Sequence, residues 1–244
     1  MGCTTFSVTI YELTKIDFMK TIDISSPVEV NECVILLHGL ARTDSSLKKI
    51  ESVLKGKGYH TVNYNYPSTK HRIDKLAGDT INNALSQCPV GSKIHFVTHS
   101  MGGILVRQYL SANSIQNLGR VIMLGPPNQG SQVVDTLNKV PGFKLINGPA
   151  GMQLGTGEMS VPKRLGAAKF DVGIIAGTRS INLFLSMMLP APDDGKVSVE
   201  STKLEGMSDH IALPVTHPFM MKNDRVISQV VNYLKYGKFK RMDL

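Results

Sequence analysis

Lys93-Ile94-His95-Phe96-Val97-Thr98-His99-Ser100-Met101-Gly102-Gly103 leads from an apolar run through a serine into a pair of glycines. Lys93–Thr98 reads as a short strand, and Gly102–Leu110 as a buried helix. A serine between a strand and a helix matches the G-x-S-x-G elbow, where a sharp turn lifts the hydroxyl above the sheet. The serine backbone is strained in such a turn, so the residues two away on each side must be small. Gly102 meets this need, whereas Thr98 stands where the pattern has glycine. The helix N-terminus behind Ser100 favours developing negative charge.

Upstream, Cys33-Val34-Ile35-Leu36-Leu37-His38 is continuously apolar up to the histidine, as expected of a parallel strand buried on both faces. Asp44 can cap a helix carrying Leu47, Ile50, Val53 and Leu54, which Gly56 and Gly58 end. Tyr59–Tyr64 alternates like a strand. Ile73, Leu76, Ala77, Ile81, Ala84, Leu85 and Cys88 mark a second helix. Downstream, Val121–Leu124, Val172–Ala176 and His210–Leu213 read as strands. A last helix carries Val226, Ile227, Val230, Val231 and Leu234, and Thr5–Tyr11 can add an edge strand. Strands alternate with helices from residue 33 onward. That order predicts a single α/β domain over 1–244, a mostly parallel central sheet with helices on both faces. Residues 1–30 form an N-terminal extension, and 139–169 a short, glycine-rich cap segment.

In such sheets chemistry sits at the C-terminal ends of the strands, and the remaining motifs fall there. A serine attacking an acyl carbon creates an oxyanion that needs backbone N–H donors. The elbow supplies one from Met101, and the His38-Gly39-Leu40 turn supplies the other from Leu40. An acid is expected in the turn Asp193-Asp194-Gly195, and a base after the last strand. His217 meets that position, while His210 falls inside the strand. Ser, then Asp, then His is the order an elbow-bearing sheet uses. His38 and His99 flank the site and are expected to brace it.

Composition narrows the alternatives. The chain has 244 residues, a net charge of +8 and three cysteines. Its basic charge is mostly scattered. Lys235, Lys238, Lys240 and Arg241 form the densest run, read as a solvated tail able to associate weakly with an anionic membrane surface. No zinc-finger or RNP-like pattern points to nucleic acid. Cys3, Cys33 and Cys88 imply no disulfide framework and no metal site, and Cys33 reads as a small buried apolar residue. No apolar run is long enough to span a membrane, and no signal peptide is visible. The cytoplasm is therefore the default compartment, with Cys3 as the first residue of an exported lipoprotein as the alternative.

Val34–Leu40, Phe96–Gly103, Asp194–Val197 and Leu213–His217 together resemble the small bacterial lipases and esterases of the α/β-hydrolase superfamily. They run in that family's order across residues 33–235. The resemblance implies an α/β-hydrolase fold, a Ser100–Asp194–His217 triad and hydrolysis of carboxylic esters; the family's disulfides and calcium sites are not recognisable in this sequence, and no cofactor or metal is expected. It places the acid immediately before glycine, which selects Asp194 over Asp193, and an oxyanion donor at Leu40. Transfer of the acyl group to an alcohol or amine is the alternative outcome of the same triad. Met152, Leu154, Phe184 and Met187 are expected to shape a substrate pocket for short to medium acyl chains of a small ester or lipid.

Overall fold

The structure, a computed structural model, describes residues 31–138 and 140–241. The expected edge strand at Thr5–Tyr11 and the questions raised by Cys3 lie outside them. The elements follow as β1 (Glu32–Leu37), α1 (Lys48–Lys55), β2 (His60–Tyr64), α2 (Ile73–Leu85), β3 (Lys93–His99), α3 (Met101–Leu110) and β4 (Leu118–Leu124). After them come α4 (Gln132–Leu137), α5 (Phe143–Gly151), α6 (Val161–Arg164), β5 (Val172–Gly177), α7 (Leu183–Ser186), α8 (Val199–Thr202), β6 (Asp209–Leu213) and α9 (Asp224–Tyr236).

The six strands pair in the order β2-β1-β3-β4-β5-β6, and every pairing is parallel. The described sheet is thus wholly parallel, where the sequence suggested mostly so. β1 shows why its residues are apolar without interruption. Cys33, Ile35 and Leu37 join the core that holds Ile73, Ile81, Ile104 and Leu105 from α2 and α3. Val34 and Leu36 join the opposite core, with Leu47, Ile50 and Leu54 and with Val226, Val230 and Leu234 from α9. A strand sandwiched between two helical layers has no solvent face, so alternation disappears. The chain leaves β1 outward to β2 and returns on the other side to β3. This reversal opens a crevice beyond the C-terminal ends of β1 and β3, where Leu40 and Ser100 lie.

Buried Arg107 ties α3 to the segments that follow β4. Its guanidinium donates to Asn128 O and Oδ1 (both 3.1 Å), Pro162 O (3.0 Å) and Gly166 O (2.8 Å). Burial lowers its pKa to about 10, so the charge persists at neutral pH and saturates these acceptors.

Two sequence expectations need correction. Cys33 and Cys88 form a disulfide, with Cα atoms 5.9 Å apart across 55 residues of sequence. β1 and α2 pack in one core, which brings the start of the strand next to the turn after the helix. Spacing along the chain carries no trace of that proximity. The basic C-terminal run is docked as far as residue 241 and is not a free tail. Phe239 is buried, and the Arg241 guanidinium donates to the Asp209 carboxylate at 2.6 and 3.2 Å. Lys235, Lys238 and Lys240 still point to solvent. No helix among the described residues is long and apolar enough to cross a membrane.

Candidate active site

Ser100 sits between β3 and α3 with φ 53° and ψ −121°, a left-handed conformation that costs a non-glycine residue about 1–3 kcal/mol. Its own N–H donates to Leu124 O at 2.8 Å, which pins the turn to β4. A Cβ on Gly102 would stand 2.6 Å from Leu37 O, so the helix can begin here only with glycine. Thr98 is accommodated by a different route. Its hydroxyl points across to β4, 3.3 Å from Ile122 O. The room it needs comes from Gly103, whose Cβ would lie 3.2 Å from Thr98 Oγ1. The elbow has exchanged one small residue before the serine for a second one after it.

The turn after β1 is braced by His38. Its Nδ1–H donates to Gly39 O (2.9 Å), because Nε2 is occupied as acceptor of Tyr66 N–H (3.2 Å). The Tyr66 hydroxyl donates to His38 O at 2.6 Å, and the two rings stack with centroids 4.1 Å apart. Among the described residues, neither Leu40 N–H nor Met101 N–H has a backbone or side-chain acceptor.

The expected acid and base are in direct contact. His217 Nδ1 lies 2.7 Å from Asp194 Oδ2, and both side chains are buried. Asp194 Oδ1 accepts from Lys196 N (3.0 Å) and Val197 N (2.8 Å), so the carboxylate is saturated. Asp193 is spent on its own turn, accepting from Ser186 Oγ and Gly195 N, each at 2.7 Å. Two glycines that the sequence did not single out make space for this pair. A Cβ on Gly177 would meet Asp194 Cβ at 2.7 Å, and one on Gly125 would meet Asp194 Oδ2 at 3.0 Å and His217 Nδ1 at 3.1 Å. Each closes a strand beside the acid, and no local pattern distinguishes it from a turn glycine. His210 lies elsewhere, with Nε2 2.9 Å from Thr202 Oγ1.

Buried His99 holds His217 from behind. Its Nε2–H donates to His217 O at 3.1 Å, with ring centroids 4.7 Å apart. Burial, and secondarily the charges of His217 and Arg42, keep its pKa well below the ordinary histidine value. Burial also lowers that of His38. Both must therefore gain protons on unfolding below about pH 6.5. Their stabilising contribution is complete above that pH and is lost as pH falls toward the folded values. Each loses up to about 1.4 kcal/mol per pH unit in that window. Urea midpoints at pH 7.5 and 5.5 should show the lower stability at 5.5, and an equal or higher midpoint there would contradict this account.

Ser100 and His217 line one cavity of about 290 Å³, together with Leu40, Arg42, Val134, Phe143, Leu154, Leu185 and Lys196. No hydrogen bond joins the Ser100 hydroxyl to His217 among the described residues, and such contacts commonly tighten only around substrate. Of the four expected pocket residues, the structure brings only Leu154 into the cavity. Met152 faces a separate groove beside Gln153 and Arg164, while Phe184 and Met187 are 65% and 85% exposed. On a helical turn each residue rotates by about 100°, which carries Phe184 off the face that Leu185 presents to the cavity, and Met187 lies in the turn beyond α7. Phe143 and Ile146 of the 139–169 segment also line the cavity. Sequence reading passed over both.

No protein-family model matches the chain, and no curated protein matches it. Solved structures do. The mature form of the Bacillus licheniformis lipase BlEst2 superposes with a TM-score of 0.67 at 19% identity, covering 86% of this chain and 94% of that one. The Rhodococcus esterase RhEst1 gives 0.56 at 16% identity, covering 84% and 91%. The Legionella pneumophila phospholipase PlaB gives 0.52 at 18% identity, covering 70% and 45%. The chain has the α/β-hydrolase fold that the resemblance implied.

Proposed function

We propose that this chain is a carboxylic ester hydrolase working through Ser100, His217 and Asp194 by way of an acyl-enzyme. One observation carries the reading. A serine held at positive φ on a strand-to-helix turn shares a cavity with a histidine that is bonded to a buried, saturated carboxylate. The names of the neighbouring structures, two lipases or esterases and a phospholipase, agree with it. Asp194 holds the proton of His217 on Nδ1, which leaves Nε2 bare to accept the Ser100 proton. Ser100 Oγ then attacks the acyl carbon. The oxyanion is received by the unengaged N–H groups of Leu40 and Met101, with the start of α3 adding its dipole. His217 passes the proton to the leaving alcohol. Water, activated by the same base, releases the acid and restores Ser100.

A cavity of about 290 Å³ stands at the small end of ligand sites, which run from about 300 to 1,000 Å³. Short and medium acyl chains fit it better than long ones. The test pairs covalent labelling with a chain-length series. A fluorophosphonate should mark Ser100 alone, as read by peptide mass spectrometry, and p-nitrophenyl butyrate or octanoate should outpace the palmitate. Turnover without Ser100 labelling would remove the mechanism, and equal rates along the series would remove the chain-length preference.

A further inference from the structure

The mechanism makes no use of two cations that stand in the same cavity as Ser100 and His217. Arg42 and Lys196 both line it. Each is fixed by the site's own backbone. Arg42 follows the turn at Leu40 and Ala41, where Ala41 N–H donates to Ser68 Oγ at 3.0 Å. Lys196 donates its N–H to Asp194 Oδ1 at 3.0 Å, and its carbonyl accepts from Ser131 Oγ at 2.8 Å. Neither position can drift without moving the donor turn or the acid.

Neither cation forms an ion pair among the described residues, although seven lysines and arginines do so elsewhere. The nearby carboxylate is Asp194, whose two oxygens are already taken by Lys196 N, Val197 N and His217. The two cations also act on each other. Burial lowers the pKa of Lys196, and the Arg42 charge lowers it further. Lys196 nevertheless remains exposed to solvent, and Arg42 is half-buried. Two like charges held unpaired beside a nucleophile are unfavourable when empty and favourable when an anion arrives. Leu40, Val134, Phe143, Leu154 and Leu185 give the cavity an apolar wall, to which Ser131 and Asn147 add polar groups.

Building on the proposed ester hydrolysis, we infer that Arg42 and Lys196 form an anion subsite. The preferred substrate is an ester that carries a carboxylate or phosphate close to the scissile bond and a hydrocarbon portion for the apolar wall. The guanidinium supplies two-pronged donors and the ammonium a point charge, a pairing suited to either oxyanion.

Three esters test this. Phenyl butyrate is neutral, 4-carboxyphenyl butyrate carries the charge on its alcohol part, and monophenyl glutarate carries it on its acyl part. Each kcat/KM is divided by that ester's own hydroxide-catalysed rate, which removes leaving-group differences. At low salt the wild type should favour at least one anionic ester by about tenfold or more, the worth of one charge-assisted hydrogen bond. Whichever anionic ester is favoured tells which side of the ester faces the cations. The preference should shrink with added salt and fall to near unity in Arg42→Gln/Lys196→Gln. A wild type without preference, or a preference that survives the double variant, overturns the subsite. If no ester is cleaved, the hydrolase reading fails, and calorimetric titration with monobutyl phosphate and monobutyl glutarate decides the subsite alone. Salt-sensitive binding that the double variant loses sustains it, and no binding overturns it.

Discussion

Ser100→Ala should lower kcat/KM for p-nitrophenyl butyrate by about ten-thousand- to a million-fold, and His217→Ala should match it. The expectation rests on the roles being joint. Without the hydroxyl there is nothing for the imidazole to deprotonate, and without the imidazole the hydroxyl stays a poor nucleophile. The double variant should therefore be hardly slower than either single one. Asp194→Asn should cost about ten-thousand-fold, because an amide that donates to Nδ1 forces the proton onto Nε2. Asp193→Asn should cost far less, since that carboxylate serves its own turn and touches no base. His210→Ala is the matched control, from a histidine bonded to Thr202 and away from the cavity. Retention of even a tenth of the rate by Ser100→Ala would end the assignment, provided circular dichroism shows the variant folded.

The second large effect concerns stability. Cys33 and Cys88 close a loop across 55 residues, and the loop-entropy relation gives about 4 kcal/mol for a cross-link of that span. Breaking it by reduction, or by Cys88→Ser, should lower the urea midpoint accordingly against a total that for most domains is about 5–15 kcal/mol. The slope of the transition should also steepen as the unfolded chain gains freedom to expand. Thiol counting on the denatured, unreduced protein is the direct check. One free thiol supports the bridge, and three refute it. Since such bridges persist in oxidising compartments and are rare in reducing ones, the result bears on where the protein is stable enough to work.

What the sequence revealed and what it hid follow a physical line. β1 and β3 were legible because a strand buried on both faces must be apolar throughout, and the elbow because strain demands small neighbours at fixed offsets. His217 followed from its place after the last strand. Features decided by contacts between distant segments were not legible. The Cys33–Cys88 bridge needs α2 folded back on β1. Gly125 and Gly177 have meaning only once Asp194 and His217 arrive beside them. Phe184 and Met187 are apolar enough for a pocket, but the direction of a short helix decides who faces inward, and it chose Leu185. Thr98 shows a third case, in which a departure from a pattern is repaired one residue beyond it, at Gly103.

The strand order has a consequence for how the protein is made. Leu40 follows β1, Ser100 follows β3, Asp194 follows β5 and His217 follows β6. A ribosome delivers them in that sequence, at about 5–20 residues per second. In the proposed roles, the oxyanion donor and the nucleophile emerge first, and the base emerges last, after the last described strand. A nascent chain can already pack β1, β2 and β3 around their shared core, yet it holds a serine with no partner to activate it. On the proposed mechanism, ester-cleaving power would thus switch on only once β6 docks beside β5. By that reading, a growing chain surrounded by lipids and metabolites stays chemically silent until β6 is in place.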